Sequence, residues 1–401
     1  MRILHTSDWH LGRTLEGRSR LVEQRNVLEE MTSLCSEEAI DLVLVAGDVF
    51  DAYNPPAAAE ELYYEYLERM ADGGRRAVVV VAGNHDSPER IRAANPLAVR
   101  HGISLMGLPG DHLPGSVGVG RVRRLETGPG WLNLAIGEER VGIVGLPYPS
   151  ESRLREVLSR EMADEVRRGA YSDRVGSILK NAVESLDPSF PSILVGHFYV
   201  AGGIESESER PIHLGGALTV DAESIPAEFS YVALGHLHRA QRVGGFEHWR
   251  YSGSPLAYSF SEATRGDEVT LVDVGPDGVP EVRRSPLSGG IPLVKRRVKG
   301  WDSLSGVIEE VGRAWFDLEV EVDDTPSPEL LARIRREYPE IVIIRVSLPR
   351  SRGRDAGPSL EDLTLEEQFR KFYLDREGTE PSSQLVELFL ELVNEEGEEP
   401  T

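Results

Sequence analysis

Short apolar runs recur through the first two thirds of the chain, bounded by charged or turn-forming positions. They lie at Arg2–His5, Asp41–Ala46, Ala77–Ala82, Val141–Leu146, Ser192–Val195, Tyr231–Leu234 and Glu268–Val274. Runs this short and this continuously apolar predict strands buried on both faces. Segments with apolar residues at three- and four-residue spacing alternate with several of them, at Leu21–Leu34, Ala58–Met70 and Glu151–Arg168. These predict helices, and the alternation predicts an α/β fold with helices covering the sheet faces.

The pattern changes after Ser285–Pro292, a stretch rich in Gly, Pro and Ser. A strand (Leu293–Val298), helix (Asp302–Arg313), strand (Asp317–Val322), helix (Ser327–Glu337) and strand (Ile341–Val346) follow, predicting a small βαβαβ unit. Residues 349–359, PRSRGRDAGPS, have linker composition. Beyond them Thr364 and Glu367 form a capping-box signature ahead of Leu365, Phe369, Phe372 and Tyr373. Ser382 or Ser383 can cap a second helix carrying Leu385, Leu388, Phe389, Leu392 and Val393 on one stripe. Two short amphipathic helices do not fully bury their stripes on each other. They either fold back on the body or dock another chain. The expected domains are 1–284, 290–349 and the helical tail at 360–397.

Composition narrows the class. A chain of 401 residues, 40% of them apolar, supports two or three domains with a sizeable core. No apolar run approaches the roughly 20 residues that span a bilayer. The polar pair Asp8 and His10 comes too early for a signal peptide. The single cysteine, Cys35, cannot form an internal disulfide, so a reducing cytoplasm is expected. The net charge of −23 argues against nucleic-acid binding by bulk electrostatics alone. Residues 360–401 hold 13 acidic and 3 basic side chains, so about 10 of those charges sit in the tail.

The candidate chemistry sits where the apolar runs end. Four times a run is followed by glycine and then a metal-capable residue: LVLVAGD at Asp48, VVVVAGN at Asn84, SILVGH at His197 and YVALGH at His236. Strand ends are where α/β sheets bind ligands, and a glycine there lets the chain turn and bring the next side chain into the crevice. Two pairs, Asp8 with His10 and His236 with His238, have the i, i+2 spacing that places both side chains on one face of an extended segment. His5, His101, His112, His213 and His248 belong to no such pattern. A single GD or GH carries little weight. The ordered set DxH, GDxxD, GNHD, GH and GHxH is very unlikely to assemble by chance.

That set, as DWH, GDVFD, GNHD, GH and GHLH, resembles the calcineurin-like metallophosphoesterase superfamily. SDWHLG at 7–12, GDVFD with Pro55, YSGSP at 251–255, the small second domain and the acidic helical tail resemble, more narrowly, the SbcD family of nuclease subunits. The resemblance covers essentially the whole chain. It implies a β-sandwich flanked by helices, a capping domain and a helical tail. It also implies two metal ions, one held by Asp8, His10, Asp48 and His238, the other by Asp48, Asn84, His197 and His236, with Asp48 bridging. Mixed imidazole and carboxylate ligation suits Mn²⁺, Fe or Zn²⁺ better than Ca²⁺ or Mg²⁺, and the resemblance implies Mn²⁺. Two such ions, ~3.5–4 Å apart, clamp a phosphoryl group and lower the pKa of a bound water. By the same resemblance His85 protonates the leaving oxygen and Asp51 orients the His85 ring. Asp86, ahead of Ser87-Pro88-Glu89, reads as capping or loop structure.

The implied activity is cleavage of DNA, exonucleolytic on double-stranded ends and endonucleolytic on hairpins or single strands, in repair, recombination and replication. The implied partners are an SbcC-type coiled-coil ATPase, gripped by the tail helices, and a second copy of the chain within a heterotetramer. The segment Pro55–Met70 is either that dimer interface or a surface helix. Arg13, Arg18, Arg20, Arg25, Arg90 and Arg92 either contact DNA phosphates or form a solvated face. Competing readings are a small-molecule or phosphoprotein phosphatase and a non-catalytic scaffold. Protein phosphatases of the superfamily usually show GDxxDRG and GNHE, whereas this chain has GDVFDAY and GNHDS, and every motif ligand is present.

Overall fold

The computed structural model describes residues 1–115, 117–154, 164–206, 218–263, 266–275, 278–348, 365–377, 380–382, 385–386 and 389. Residues Met1–Ser347 form one compact unit and Leu348–Thr401 a second.

The first unit is built on two sheets. The six-stranded sheet runs Pro280–Pro286, Glu268–Val274, Arg2–Thr6, Leu42–Ala46, Ala77–Val81, Ile103–Met106, and its last four strands are mutually parallel. The eight-stranded sheet runs Gln241–Arg242, Trp249–Tyr251, Tyr231–Gly235, Ser192–His197, Glu139–Leu146, Trp131–Ile136, Val122–Gly128, Gly118–Val119. Its parallel part spans Trp249–Tyr251 to Glu139–Leu146. Alternation along the strands sorts the side chains. Ile3, Leu42, Leu44, Val79 and Val81 share one buried cluster with Leu134, Ile143, Ile193 and Val195, which joins the sheets face to face. Leu4, Val43, Val45, Val78 and Val80 point the other way, onto Val27 and Met31 of helix Leu21–Glu37 and Tyr63 and Tyr66 of helix Ala57–Ala71. On the far side Val144, Leu194 and Val232 pack on Tyr171, Val175 and Leu179 of helix Asp164–Val183. This is the helix-flanked sandwich expected from the motifs.

Three elements depart from the sequence reading. Val122–Gly128 and Trp131–Ile136, absent from the sequence reading, form an antiparallel meander with Glu139–Leu146; the first strand mixes buried Val122 and Arg124 with exposed Arg123 and Glu126. Pro280–Pro286 is an edge strand with a mostly polar sequence, PEVRRSP. Of the helix expected over Glu151–Arg168, residues 155–163 lie outside the described ones; Glu151–Leu154 is helical, and helix Asp164–Val183 continues past Arg168 through Gly169 and Gly176. Gly176 is a close-packing site, since a Cβ there would lie 2.8 Å from the Ser224 carbonyl.

The βαβαβ segment forms its own three-stranded parallel sheet, Leu293–Lys299, Trp315–Glu321, Ile341–Ser347, with a core of Val298, Leu304, Phe316, Leu318, Val320 and Ile334. Ser327 caps its second helix, Pro328–Glu337, by accepting the Leu330 N–H. Leu293 packs with Leu15, Ala257 and Phe260 of the body. Glu23 pins the joint: it accepts Arg20 at 2.5 and 2.7 Å, the Trp315 indole N–H at 3.0 Å and the Ile291 N–H at 2.7 Å.

In the second unit a helix spans Leu365–Glu377, and the Phe369 ring stacks on Phe389 at 4.1 Å. Ser382 accepts the Leu385 N–H. Thr364, Ser383, Leu388, Leu392 and Val393 lie outside the described residues.

Candidate metal centre

The parallel strands of both sheets end at the same place. Asp8 and His10 follow Arg2–Thr6, Asp48 follows Leu42–Ala46, Asn84 and His85 follow Ala77–Val81, His197 ends Ser192–His197, and His236 and His238 follow Tyr231–Gly235. The backbone is kinked at the functional residues themselves. Asp8, His10, Asp48 and His236 have φ of 53°, 43°, 47° and 103°, values that non-glycine residues adopt only when their surroundings enforce them. The preceding glycines serve chiefly for clearance. A Cβ at Gly83 would lie 2.1 Å from Asp48 Oδ1, and one at Gly235 would lie 1.9 Å from the Ala46 carbonyl. Among the four, only Gly47 also needs the left-handed region, at φ +87°. The expected role of these glycines is therefore corrected: they allow the two rims to touch more than they turn the chain.

Potential ligand atoms of Asp8, His10 and His238 all lie within 4.8 Å of one another, as do those of Asp8, Asp48 and His197. His10 Nε2 and His238 Nε2 are 3.0 Å apart, and Asn84 Oδ1 is 2.9 Å from His197 Nε2 and 3.0 Å from His236 Nδ1. Two donors on one ion at ~2.1 Å and right angles are separated by ~3 Å, so these spacings suit shared coordination. Hydrogen-bond bookkeeping says the same. The His197 N–H at Nδ1 donates to the Ala46 carbonyl at 2.8 Å, so a neutral ring turns the Nε2 lone pair on the Asn84 oxygen. Acceptor then faces acceptor. Protonating His197 is one relief: burial opposes it, but the Asp48 charge prevails and moves the pKa to about 9. A divalent cation relieves the conflict without a proton, and the residues present fit one. Burial alone would raise the Asp48 pKa, but the facing imidazoles hold it well below the usual carboxylate range.

His85 is held differently. Its N–H at Nδ1 donates to the main-chain carbonyl of Asp51 at 2.7 Å, and its Nε2 is 3.9 Å from Asp48 Oδ2. Asp51 thus meets the His85 ring through its main-chain carbonyl, while its carboxylate lies 3.7 Å from His10 Nδ1 and 3.7 Å from Arg13. His10, Asp51 and His85 form a third close grouping, in which the His10 atom facing Asp51 is Nδ1 rather than Nε2. Asp86 is loop structure. Its buried carboxylate accepts the Gly83, Val49 and Phe50 N–H groups and ties the Asn84 loop to the Asp48 loop, while Ser87 caps the next helix.

Several residues that complete the centre carry no sequence motif. Arg153 donates to the Gly83 and Asp86 carbonyls, both at 2.8 Å, and clamps the Asn84 loop from behind. Tyr148 stacks on the His236 ring, with centroids 6.2 Å apart. The YSGSP segment backs two motifs: Ser252 meets Ser7, whose hydroxyl donates to Asp8, and the Ser254 N–H donates to the His238 carbonyl. Most candidate DNA-contacting arginines are engaged elsewhere. Arg20 is buried on Glu23, and Arg18 donates to the Ile341 carbonyl and lies over the Trp315 ring. Arg25 pairs with Glu65, Arg90 with Glu60 and Arg92 with Asp111. Arg13 stands beside the centre, over Tyr258 and near Asp51.

Residues 1–240 match the family model described as calcineurin-like phosphoesterase. The chain is 42% identical to the SbcD component of the SbcCD nuclease of Bacillus subtilis, over 98% of both chains. The protein of the same name from Rhodobacter capsulatus is 32% identical over 78% of this chain and 76% of its own length. That from Escherichia coli K12 is 28% identical over 97% of each.

Proposed function

Because this chain belongs to the calcineurin-like phosphoesterase family and, within it, to the SbcD nucleases, we propose that it cleaves DNA phosphodiester bonds with two divalent ions. The observation that carries this reading is the convergence of both sheet rims, which brings Asn84 Oδ1 to 2.9 Å from His197 Nε2 and His10 Nε2 to 3.0 Å from His238 Nε2, spacings that suit paired ligands on one cation. Asp8, His10, Asp48 and His238 hold one ion, and Asp48, Asn84, His197 and His236 the other. When bound, such ions neutralise phosphoryl oxygens and make water a nucleophile at neutral pH. Mn²⁺ is the ion we assign.

The chain's own residues then do the following. Asp48 stands between the two ligand groups and fixes the His85 main-chain N–H on its Oδ1 at 2.8 Å. His85 has its Nδ1–H committed to the Asp51 carbonyl, so Nε2 faces inward; the doubly protonated ring gives its Nε2 proton to the leaving oxygen and is left as the neutral Nδ1–H tautomer. Asp51 acts through that carbonyl. Arg13 neutralises a DNA phosphate next to the scissile one.

The substrates are double-stranded ends, cut exonucleolytically, and hairpins or single strands, cut endonucleolytically, in DNA repair, recombination and replication. An SbcC-type ATPase is the partner. The tail around Leu365–Glu377, with Phe372 exposed, grips its coiled coil, and the 290–349 unit caps the active site and helps hold DNA. Two copies pair through helix Ala57–Ala71 and its neighbour, where Tyr64 and Leu97 are exposed beside an apolar groove of about 460 Å³. We place the protein in the cytoplasm. No helix among the described residues is long and apolar enough to cross a membrane.

Incubation with Mn²⁺ and a linear duplex, alone and with the partner, is expected to release nucleotides, while a generic phosphomonoester turns over slowly. Strong phosphomonoester turnover with no effect on DNA, even with the partner present, would overturn the nuclease reading.

A further inference from the structure

The His10–His238 half of the centre has a buried carboxylate behind one of its imidazoles. Glu262 ends the short turn Phe260–Glu262, is buried, and lies 3.3 Å through Oε1 from His238 Nδ1. The same carboxylate accepts the Ser206 hydroxyl at 2.9 Å and the Tyr258 N–H at 2.8 Å. The turn is anchored twice more. The Tyr258 hydroxyl bonds the Trp9 carbonyl and receives Gln24, which also donates to the His10 carbonyl at 2.9 Å. Phe260 packs with Leu15 and Leu293 at the joint to the cap.

From this geometry we infer that Glu262 is the positioning residue of one metal subsite: it takes the Nδ1 proton of His238, fixes the tautomer and aims Nε2 at the ion beside His10. A carboxylate behind a ligand imidazole makes the ring a stronger donor than a neutral carbonyl does. In the other subsite the acceptor behind His197 is a carbonyl, that of Ala46 at 2.8 Å. The two ions are therefore held unequally, and the charge of Glu262 strengthens the subsite of His10 and His238. No covalent step is involved. The inference rests on the metal-centre reading above and extends it to a residue outside every metal motif.

The test is a Mn²⁺ titration of the full chain by calorimetry and electron paramagnetic resonance, for wild type, Glu262→Gln and Glu262→Ala, with the melting temperature of each metal-free protein measured alongside. Glu262→Gln removes the charge and keeps one acceptor oxygen, which can still receive the Tyr258 N–H while its amide NH2 donates to the Ser206 hydroxyl oxygen. It is expected to weaken one of two sites 10- to 100-fold, leave the other unchanged, and convert the spin-coupled pair signal to that of a single ion at intermediate Mn²⁺. Glu262→Ala is expected to weaken the same site at least as much. Unchanged affinities in both variants would overturn the assignment. So would an equal loss at both sites accompanied by a lowered melting temperature, which would make Glu262 a residue of the fold. DNA cleavage does not enter these readouts, so failure of the nuclease reading would show separately as a metal-loaded wild type that leaves DNA intact.

Discussion

The two rims that meet at the centre are chemically unlike. The six-stranded sheet contributes Asp8, His10, Asp48 and Asn84, whereas the eight-stranded sheet contributes the imidazoles His197, His236 and His238. Three of the first rim's four residues sit in left-handed backbone, and contacts from the second rim reach them. The His236 N–H donates to the Asp8 carboxylate, and the His197 N–H donates to the Ala46 carbonyl next to Gly47. One rim supplies charge and the other supplies neutral donors and restraint. The candidate ligands come from both sheets. The left-handed strand ends of the first rim are held by main-chain bonds between its own loops, Asp8 N–H to the Gly47 carbonyl and His10 N–H to the Asp48 carbonyl, as well as by contacts to the opposite sheet.

The largest effect is expected where the rims share a residue. Asp48→Ala removes the carboxylate common to both ligand groups, so Mn²⁺ titration should show both ions lost and cleavage reduced about 10⁴-fold, or ~5 kcal/mol in activation free energy. Retention of both ions would place the shared ligand elsewhere. Next comes the point of closest approach. Gly235→Ala puts a Cβ against the Ala46 carbonyl, and a displacement of about 1 Å between the rims should cost about 10²-fold in kcat. Activity within threefold of wild type would mean that the rims need not touch.

A third test uses a contact between the sheets away from the metals. His5 is fully buried with Nδ1 on the Tyr231 hydroxyl at 2.9 Å, and burial lowers its pKa to about 3. The folded state thus binds fewer protons than the unfolded chain below the ordinary histidine value of 6.5. Stability is full above that pH and falls as pH drops toward 3, by ~2 kcal/mol at pH 5. Urea unfolding of metal-free His5→Gln should show a loss between pH 7.5 and 5 that is smaller than wild type by that amount. An identical pH dependence would contradict the contact. The smallest effect is expected behind the Asn84 loop. Arg153→Met removes two hydrogen bonds to that loop and should weaken one ion about tenfold, or ~1.4 kcal/mol, while the His10–His238 subsite keeps its affinity.

What the sequence disclosed follows the same division. The buried strands and the residues just beyond them are legible because Asp48, Asn84, His197 and His236 directly follow an apolar run and a glycine, and Asp8, His10 and His238 stand in i, i+2 pairs. The residues that hold the ligands are not, because Arg153, Tyr148 and Glu262 reach the centre from far along the chain through single contacts with no repeated spacing. Asp51 was legible as a neighbour of His85, but that it reaches the ring through its main-chain carbonyl was not, since a pattern of residue types does not distinguish a carboxylate from its own carbonyl. The arginines after the first motif looked alike in sequence, yet Arg20 is buried on Glu23 and Arg13 lies beside the metal ligands. The meander and the edge strand Pro280–Pro286 were hidden because a one-sided strand carries too few apolar positions to stand out from a loop.

The proposed chemistry turns on His85, which stands among the candidate ligands and which we assign as the proton donor rather than as a ligand. Its most direct measurement is Mn²⁺ stoichiometry together with duplex cleavage in His85→Leu. Two ions bound with near wild-type affinity are expected, with cleavage abolished, a fall of at least about 10³-fold. Loss of both ions in that variant would contradict this role and return His85 to the ligand shell.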